Sequence, residues 1–281
     1  MPVFVDAPAR VVSAALLEVR TLREALTRAG VALDGSADVL APGDEVRFSG
    51  AASGVLRLVE AEAEGVRARL GTTEFVARCA TVPGGTWLTC GFSCGGDLAD
   101  SVLRSIEEIV AARAPDLTAA KVVVGAAIVR DGRLLAQQRA YPAEAAGRWE
   151  LAGGRVEPGE TDAQAVRREC EEELGVLVEP GDPVGPDVVL AGGKLLLRVY
   201  RATLADGAEP TAREHRGVRW LGADELHVDW LPADRVLLPA LHRLVTDRYP
   251  PGGVPADRSA HSRTAAEGGP PDHVDAVAHG I

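Results

Sequence analysis

From Ser13 to Leu26 the apolar residues of SAALLEVRTLREAL recur at helical spacing, which predicts an amphipathic helix behind a short VFV strand. EVRFS, GVLRLVEAEAEGVRARL, EFVARCATV and GTWLTCGFSC then read as strand-like runs, punctuated by turns such as APGD and VPGG. The helical period returns over residues 97–114. There Leu98, Val102, Ile106, Ile109 and Val110 make one apolar stripe, and Pro115 is placed to stop the helix. Strand, helix, antiparallel strands and a long closing helix form an α+β pattern, a sheet wrapped on a helix.

The pattern changes near residue 119. KVVVGAAIV is a continuous apolar run suited to a buried strand, and Asp131-Gly132 predicts a hairpin turn into LLAQQRA. Further on, Thr161 and Gln164 form the T-x-x-Q capping box that begins a helix, and Gly175 supplies its left-handed end. The spacing therefore predicts a helix from about Asp162 to Leu174. Val166, Cys170 and Leu174 form its buried stripe, while Glu169, Glu172 and Glu173 project from a common face. Beyond Pro250 the chain is rich in Pro, Gly, Ala, Ser and charge and offers nothing for a core, so 250–281 is expected to be a disordered tail. The expected organisation is 1–115, 119–247 and that tail, with no internal repeat.

Charge narrows the ligand. A net charge of −11 over 281 residues argues against a nucleic-acid polymer as partner, which calls for a basic footprint. It leaves open a small phosphorylated ligand reached through a divalent cation. No apolar run approaches the ~20 residues of a membrane span, and MPVFVDAPAR lacks the basic head and apolar core of a signal peptide. Cys90 and Cys94 are spaced C-x3-C without a second Cys/His pair at zinc spacing, so Cys79, Cys90, Cys94 and Cys170 read as reduced thiols of a cytoplasmic protein.

The chemistry concentrates between Gly153 and Val176, where Glu157, Glu160, Asp162, Glu169, Glu171, Glu172 and Glu173 crowd together. Like charges three or four residues apart cost a helix roughly 0.2–0.5 kcal/mol per pair. A solvated face tolerates that cost; so does a bound Mg²⁺, which takes oxygen ligands from one or two carboxylates plus water and substrate phosphate. The Gly-Gly turn lets the backbone approach, so a carbonyl there would add a ligand. Arg168 is placed to orient Glu169 by a charge-assisted hydrogen bond.

Spacing decides between these. Gly154, five residues, Glu160, seven residues, then Arg168-Glu169-Cys170-Glu171-Glu172-Glu173-Leu174-Gly175-Val176 fits the Nudix signature GX5EX7REUXEEXGU at every fixed position. Residues 121–247 thus resemble a Nudix hydrolase. The flanks LLAQQRAYPAEAAGRWELAGGRVEPGE, EHRGVRWLGADEL and LPADRVLLPAL are similar to the MutT-type nucleoside triphosphate pyrophosphohydrolases. The resemblance implies an α/β/α sandwich around a mixed sheet. It also implies hydrolysis of a nucleoside triphosphate to monophosphate and pyrophosphate with Mg²⁺, Mn²⁺ substituting. By it Glu169, Glu172 and Glu173 are metal ligands with the Gly153 carbonyl, and Glu160 braces the loop. Glu214 is a further ligand or water-orienting base, with Arg168 part of the catalytic group. Arg139 and Arg155 match basic positions near the phosphates, or are exposed surface arginines. Asp234, in the Pro232-Ala233-Asp234 segment, either meets the base edge or caps a helix beginning near Arg235. An ionised Asp there suits an exocyclic amine, as on cytosine N4 or guanine N2. The resemblance gives Asp to relatives that prefer modified cytidine triphosphates and Asn to the 8-oxoguanine specialist, which puts 8-oxo-dGTP in doubt without excluding it. Signals of ADP-ribose, diadenosine polyphosphate and coenzyme A hydrolases are missing from their expected places.

The first stretch, from FVDAPARVV to its terminal helix, resembles the START-like, polyketide-cyclase-like (SRPBCC) helix-grip family, which often encloses a hydrophobic ligand. That implies an alternative to a nucleotide-pool sanitising enzyme: a sensor in which a hydrophobic ligand in the first half controls the second. A cyclase or lipid carrier ranks behind both, since no catalytic constellation stands in the first half.

Overall fold

A computed structural model describes residues 2–247 apart from residues 36 and 206; the expected tail at 250–281 lies outside the described residues. The chain opens with β1 (Val3–Val5), α1 (Ala9–Leu17), α2 (Val19–Arg28) and β2 (Val31–Leu33). The strands β3 (Glu45–Gly50), β4 (Gly54–Glu62), β5 (Gly65–Leu70), β6 (Thr73–Val82) and β7 (Gly85–Phe92) follow, then α3 (Asp97–Thr118). These strands make one sheet in the order β1-β7-β6-β5-β4-β3-β2, every pairing antiparallel. Alternation explains which face is covered: Leu56 and Leu58 on β4, and Phe75, Ala77 and Cys79 on β6, point into a core shared with Val102 and Ile106 of α3.

Three expectations for this half change. SAALLEVRTLREAL forms two helices, because Glu18 is extended (φ −64°, ψ 122°) between α1 and α2. Its buried carboxylate accepts from Arg113 Nε at 3.0 Å and Nη2 at 3.1 Å, so a residue of α3 fixes the break. GVLRLVEAEAEGVRARL is a hairpin, β4 and β5, turning at Ala63-Glu64. Pro115 does not stop α3. It removes one amide donor, and the final turn continues because Ala114 and Leu117 are fully buried there.

The second half contains β8 (Lys121–Arg130), β9 (Arg133–Gln138), β10 (Trp149–Glu150), β11 (Ala152–Arg155), α4 (Asp162–Leu174), β12 (Val178–Pro183) and β13 (Val188–Leu190). β14 (Leu195–Leu204), β15 (Gly217–Leu221) and α5 (Pro232–Thr246) complete it. Asp131 and Gly132, at φ 51° and 69°, make the tight β8–β9 turn. The sheet is mixed: β8 runs parallel to β14 over Lys121–Ile128 and antiparallel to β11, and β9 is flanked by β10 and β15. Val166, Cys170 and Leu174 of α4 cover one face through Val124, Ala126, Ile128 and Ala202. On the other side Leu134, Leu151, Val188 and Leu237 belong to the same buried cluster as the core of the first half. Contacts of α1 with β13 and of α5 with β4 join the halves, edged by Arg235–Asp44 (2.6 Å) and Arg243–Glu62 (2.5 Å).

Candidate active site

Local sequence builds α4 as expected. Thr161 Oγ1 accepts from the Gln164 N–H at 3.3 Å, Gln164 Oε1 accepts from the Thr161 N–H at 2.8 Å, and Gly175 ends the helix at φ 69°. Tertiary contacts then fix its first turn, since Asp162 accepts from Arg198 (2.9 Å) and from the Tyr200 hydroxyl (2.7 Å), and Arg198 also pairs with buried Asp187 (2.7 Å). The helix is thereby held across β14 with its acidic face toward the Gly153-Gly154 strand.

Gly153 and Gly154 permit a close approach. A Cβ on Gly153 would stand 2.0 Å from the Val124 carbonyl oxygen, and one on Gly154 would stand 2.1 Å from Glu169 Oε1. The Gly153 N–H donates to Glu173 Oε2 at 2.9 Å, and Gln137 Nε2 donates to the same oxygen at 2.8 Å. Arg168 is the hub on the other side. Its guanidinium donates to Glu160 (3.0 and 3.1 Å), Glu169 (2.8 Å), Glu172 (3.2 Å) and the Arg155 carbonyl (2.9 Å). Glu160 also accepts from the Glu157 N–H at 3.0 Å, so it braces the loop to the helix.

The electrostatics separate the three glutamates. Burial raises the Glu169 carboxyl above the usual range, with Arg168 pulling the other way. Burial also raises Glu173, against the hydrogen bonds from Gln137 and Gly153. Glu172 stays exposed at the rim. The hydrogen bond to Glu160 raises the Arg168 guanidinium further, so it is a fixed cation.

Beside Glu173 a cavity of about 110 Å³ is lined by Arg139, Tyr141, Glu150, Gly153, Glu214 and His215. Glu150 accepts from Arg139 Nη1 at 2.5 Å and contacts His215 Nε2 at 2.8 Å; His215 Nδ1 stands 4.0 Å from Glu173 Oε1. Sequence reasoning passed over Glu150, His215 and Gln137. His215 directly follows Glu214, and Gln137 alternates in register with Leu135 on β9; these were the available signals.

The structure thus gathers Gly153, Glu173, Glu214 and Arg139 at one cavity, with Glu169 and Arg168 one helical turn away. Arg155 is exposed on a different cleft. Asp234 lies in the first turn of α5, whose N-cap is Leu231, so the helix begins at Pro232 and Asp234 does not cap it. Its buried carboxyl accepts from the Leu151 N–H at 3.3 Å. Burial, opposed by that bond and reinforced by Glu150, pushes it up to about 7.

Among the described residues no group of three or more His, Cys, Asp or Glu is arranged to hold a metal ion by itself. The donor set still suits a hard cation. Glu169 and Glu173 are carboxylates that burial makes costly to ionise without a counter-charge, and buried Gln137 Oε1 and His215 Nδ1 have no hydrogen-bond partner.

Comparison with known proteins agrees with this half of the chain. Residues 119–241 match the NUDIX domain family. A putative 8-oxo-dGTP diphosphatase 2 of Mycobacterium tuberculosis is 52% identical over 119 residues, which are 41% of this chain and 83% of that protein. The CTP pyrophosphohydrolase of Escherichia coli K12 is 38% identical over 124 residues, 43% of this chain and 91% of that protein. A MutT-like protein of Streptomyces ambofaciens is 39% identical over 104 residues, 37% of this chain and 64% of that protein. The chain belongs to the Nudix family. It is a pyrophosphohydrolase acting on phosphoric anhydrides, of a family that generally uses divalent metals.

Proposed function

We propose that this protein hydrolyses a nucleoside triphosphate, standard, oxidised or base-modified, to nucleoside monophosphate and pyrophosphate, as a cytoplasmic nucleotide-pool sanitising enzyme. The observation that carries the reading is the seating of Glu173 and Glu169 on the Gly153-Gly154 strand, beside a cavity bearing Arg139 and Glu214. In this reading Glu169, Glu172, Glu173 and Glu214, with the Gly153 carbonyl, hold Mg²⁺ or Mn²⁺. The metal, when bound, lowers the pKa of a water and neutralises phosphate charge.

The chain's own groups do the rest. Arg168 keeps Glu169 and Glu172 aimed from one side. Gly153 and Gln137 fix one oxygen of Glu173 and leave the other toward His215. Arg139 and Arg155 attract phosphate oxygens. A water oxygen bonds to the β-phosphorus while the bond to the bridging oxygen breaks. That oxygen leaves on the monophosphate, and a carboxylate takes the water proton.

Asp234 is the base reader in this proposal. At a pKa of about 7 its carboxyl is a donor below that pH and an acceptor above it, and it meets a base once Leu151 releases it. The names of the relatives, an 8-oxo-dGTP diphosphatase and a CTP pyrophosphohydrolase, set the panel: standard NTPs and dNTPs, 8-oxo-dGTP and 5-modified cytidine triphosphates, with ADP-ribose as control. A preference for cytidine that Asp234→Asn erases supports the assignment. An unchanged preference in that variant removes Asp234 from it.

Residues 1–115 take a START-like, SRPBCC reading, supported by the seven-stranded antiparallel sheet with α3 across it, although their core is continuous with that of 119–247. The enclosed apolar space beneath that sheet is about 30 Å³. A hydrophobic ligand there requires sheet and helix to part, so the enzyme reading stands ahead of the sensor. No helix among the described residues is long and apolar enough to cross a membrane.

A further inference from the structure

The sequence contains lysine at only two positions, Lys121 and Lys194, among 30 basic residues. They are neighbours. Lys121 begins β8 and Lys194 directly precedes β14, the strand parallel to it, and the Lys121 N–H donates to the Lys194 carbonyl at 3.3 Å. Both side chains line one cleft of about 1000 Å³, whose walls also carry Arg155, Arg168 and Glu169. The far wall, Asp116, Ala119 and Ala120, comes from the end of α3 and the link after it, so the first half of the chain helps to build it.

Charge in this cleft runs against the molecule. Within a chain of net charge −11, four of its seven charged residues are basic: Lys121, Arg155, Arg168 and Lys194, against Asp116, Glu157 and Glu169. Arg168 is engaged by Glu160, Glu169 and Glu172. No described carboxylate forms an ion pair with Lys121, Arg155 or Lys194, and both lysines are exposed. Three unpaired cations lining one cleft suit a polyanion. A lysine ammonium binds phosphate as a point charge, without the fixed fork of arginine.

The cleft also has a place relative to the glutamates. Glu173 opens onto the cavity with Arg139, Glu214 and His215, while Glu169, one turn earlier, opens onto the cleft with the lysines. A substrate spanning the acidic face would have its nucleoside end on one side and its terminal phosphates on the other. We infer that the cleft between the two halves is a polyphosphate subsite, in which Lys121, Lys194 and Arg155 hold the attacked diphosphate portion, which becomes pyrophosphate when the monophosphate departs. This rests on the hydrolytic reading above for the identity of the diphosphate, and not for the existence of an anion site.

The scarcity of lysine supplies the test. An amine-selective acylating reagent, read by peptide mass spectrometry, reports on Lys121 and Lys194 in the full-length protein without any need for turnover. Inorganic pyrophosphate should slow acylation at both lysines at least about fivefold, whereas sodium sulfate at equal ionic strength should not. Such a change corresponds to site occupancy of roughly four-fifths or more, at ligand a few times its Kd. In parallel, Lys121→Ala and Lys194→Ala, both at exposed positions, should each raise the inhibition constant of pyrophosphate about tenfold, equivalent to ~1.4 kcal/mol. Equal acylation with and without pyrophosphate, or equal protection by sulfate, overturns the subsite even if the enzyme hydrolyses nucleoside triphosphates. Protection without such hydrolysis leaves the anion site standing and overturns the proposed reaction instead.

Discussion

The main-chain N–H of Gly153 donates to Glu173 Oε2 at 2.9 Å, joining strand β11 to the last acidic residue on the face of α4. That bond and the one from Gln137 hold a buried carboxylate in one rotamer, 20 residues away in sequence from the glycine. Replacing Glu173 with Gln keeps the shape and removes the charge, so kcat should fall by about 10²–10⁴ with the fold intact, the range for loss of a positioned proton-transfer or charge-bearing group. Glu172→Gln should also cut turnover by orders of magnitude, although Glu172 is exposed, because its proposed work is done on the bound metal. Steady-state kinetics alongside circular dichroism checks both variants; wild-type turnover in either removes that residue from the site.

Gly154→Ala tests the close approach. The added methyl would start 2.1 Å from Glu169 Oε1, the mobile end of a side chain, so the carboxylate moves and the backbone need not. Melting temperature should change by no more than a few degrees, since about 1 kcal/mol corresponds to ~2–4 °C for a chain of this size. Activity should fall at least tenfold, equivalent to ~1.4 kcal/mol in transition-state stabilisation.

Asp234 gives a pH signature. Its folded-state pKa of about 7 lies above that of an unfolded Asp, so folding favours the protonated form. The stabilisation is present below the unfolded value, near 4, and is lost as pH rises through about 7, at ~1.4 kcal/mol per pH unit between them. Asp234→Asn should flatten this slope, so that wild type loses stability relative to the variant between pH 4 and 7 and the gap is constant above it. Chemical denaturation across that range measures the difference, and parallel curves would show that Asp234 does not titrate there.

The shared core makes the halves interdependent. Val188 and Leu237 of the second half are buried in the cluster that contains Leu16 and Leu17 of α1. A fragment of residues 119–250 uncovers that face, so it should melt lower than the full chain and aggregate more readily, even where its site glutamates are intact. Thermal unfolding and light scattering compare the two; equal stability would mean that the contact contributes little.

What could be read in the sequence was what local interactions decide. The α4 helix was legible from Thr161 to Gly175 because its cap, its stripe and its left-handed end all lie within 15 residues. The Asp131-Gly132 turn was legible for the same reason. The break at Glu18 was not, since its cause, Arg113, lies 95 residues away. Nor was the run of α3 through Pro115, which depends on burial of Leu117 rather than on the proline's own preference. Around the candidate site, a linear spacing placed Glu160 on the loop before α4 and Glu169, Glu172 and Glu173 on the helix. It could not reveal that Glu150, His215 and Gln137 converge on Glu173 from three separate strands and loops, nor that the two lysines meet across β8 and β14.

The most direct test of the central claim is hydrolysis of a nucleoside triphosphate in H₂¹⁸O with Mg²⁺, with products resolved by chromatography and mass spectrometry. Nucleoside monophosphate and pyrophosphate are expected in equal amounts, with the ¹⁸O in the pyrophosphate, as attack at the β-phosphorus requires. Nucleoside diphosphate with free phosphate, or ¹⁸O carried in the monophosphate, would contradict it.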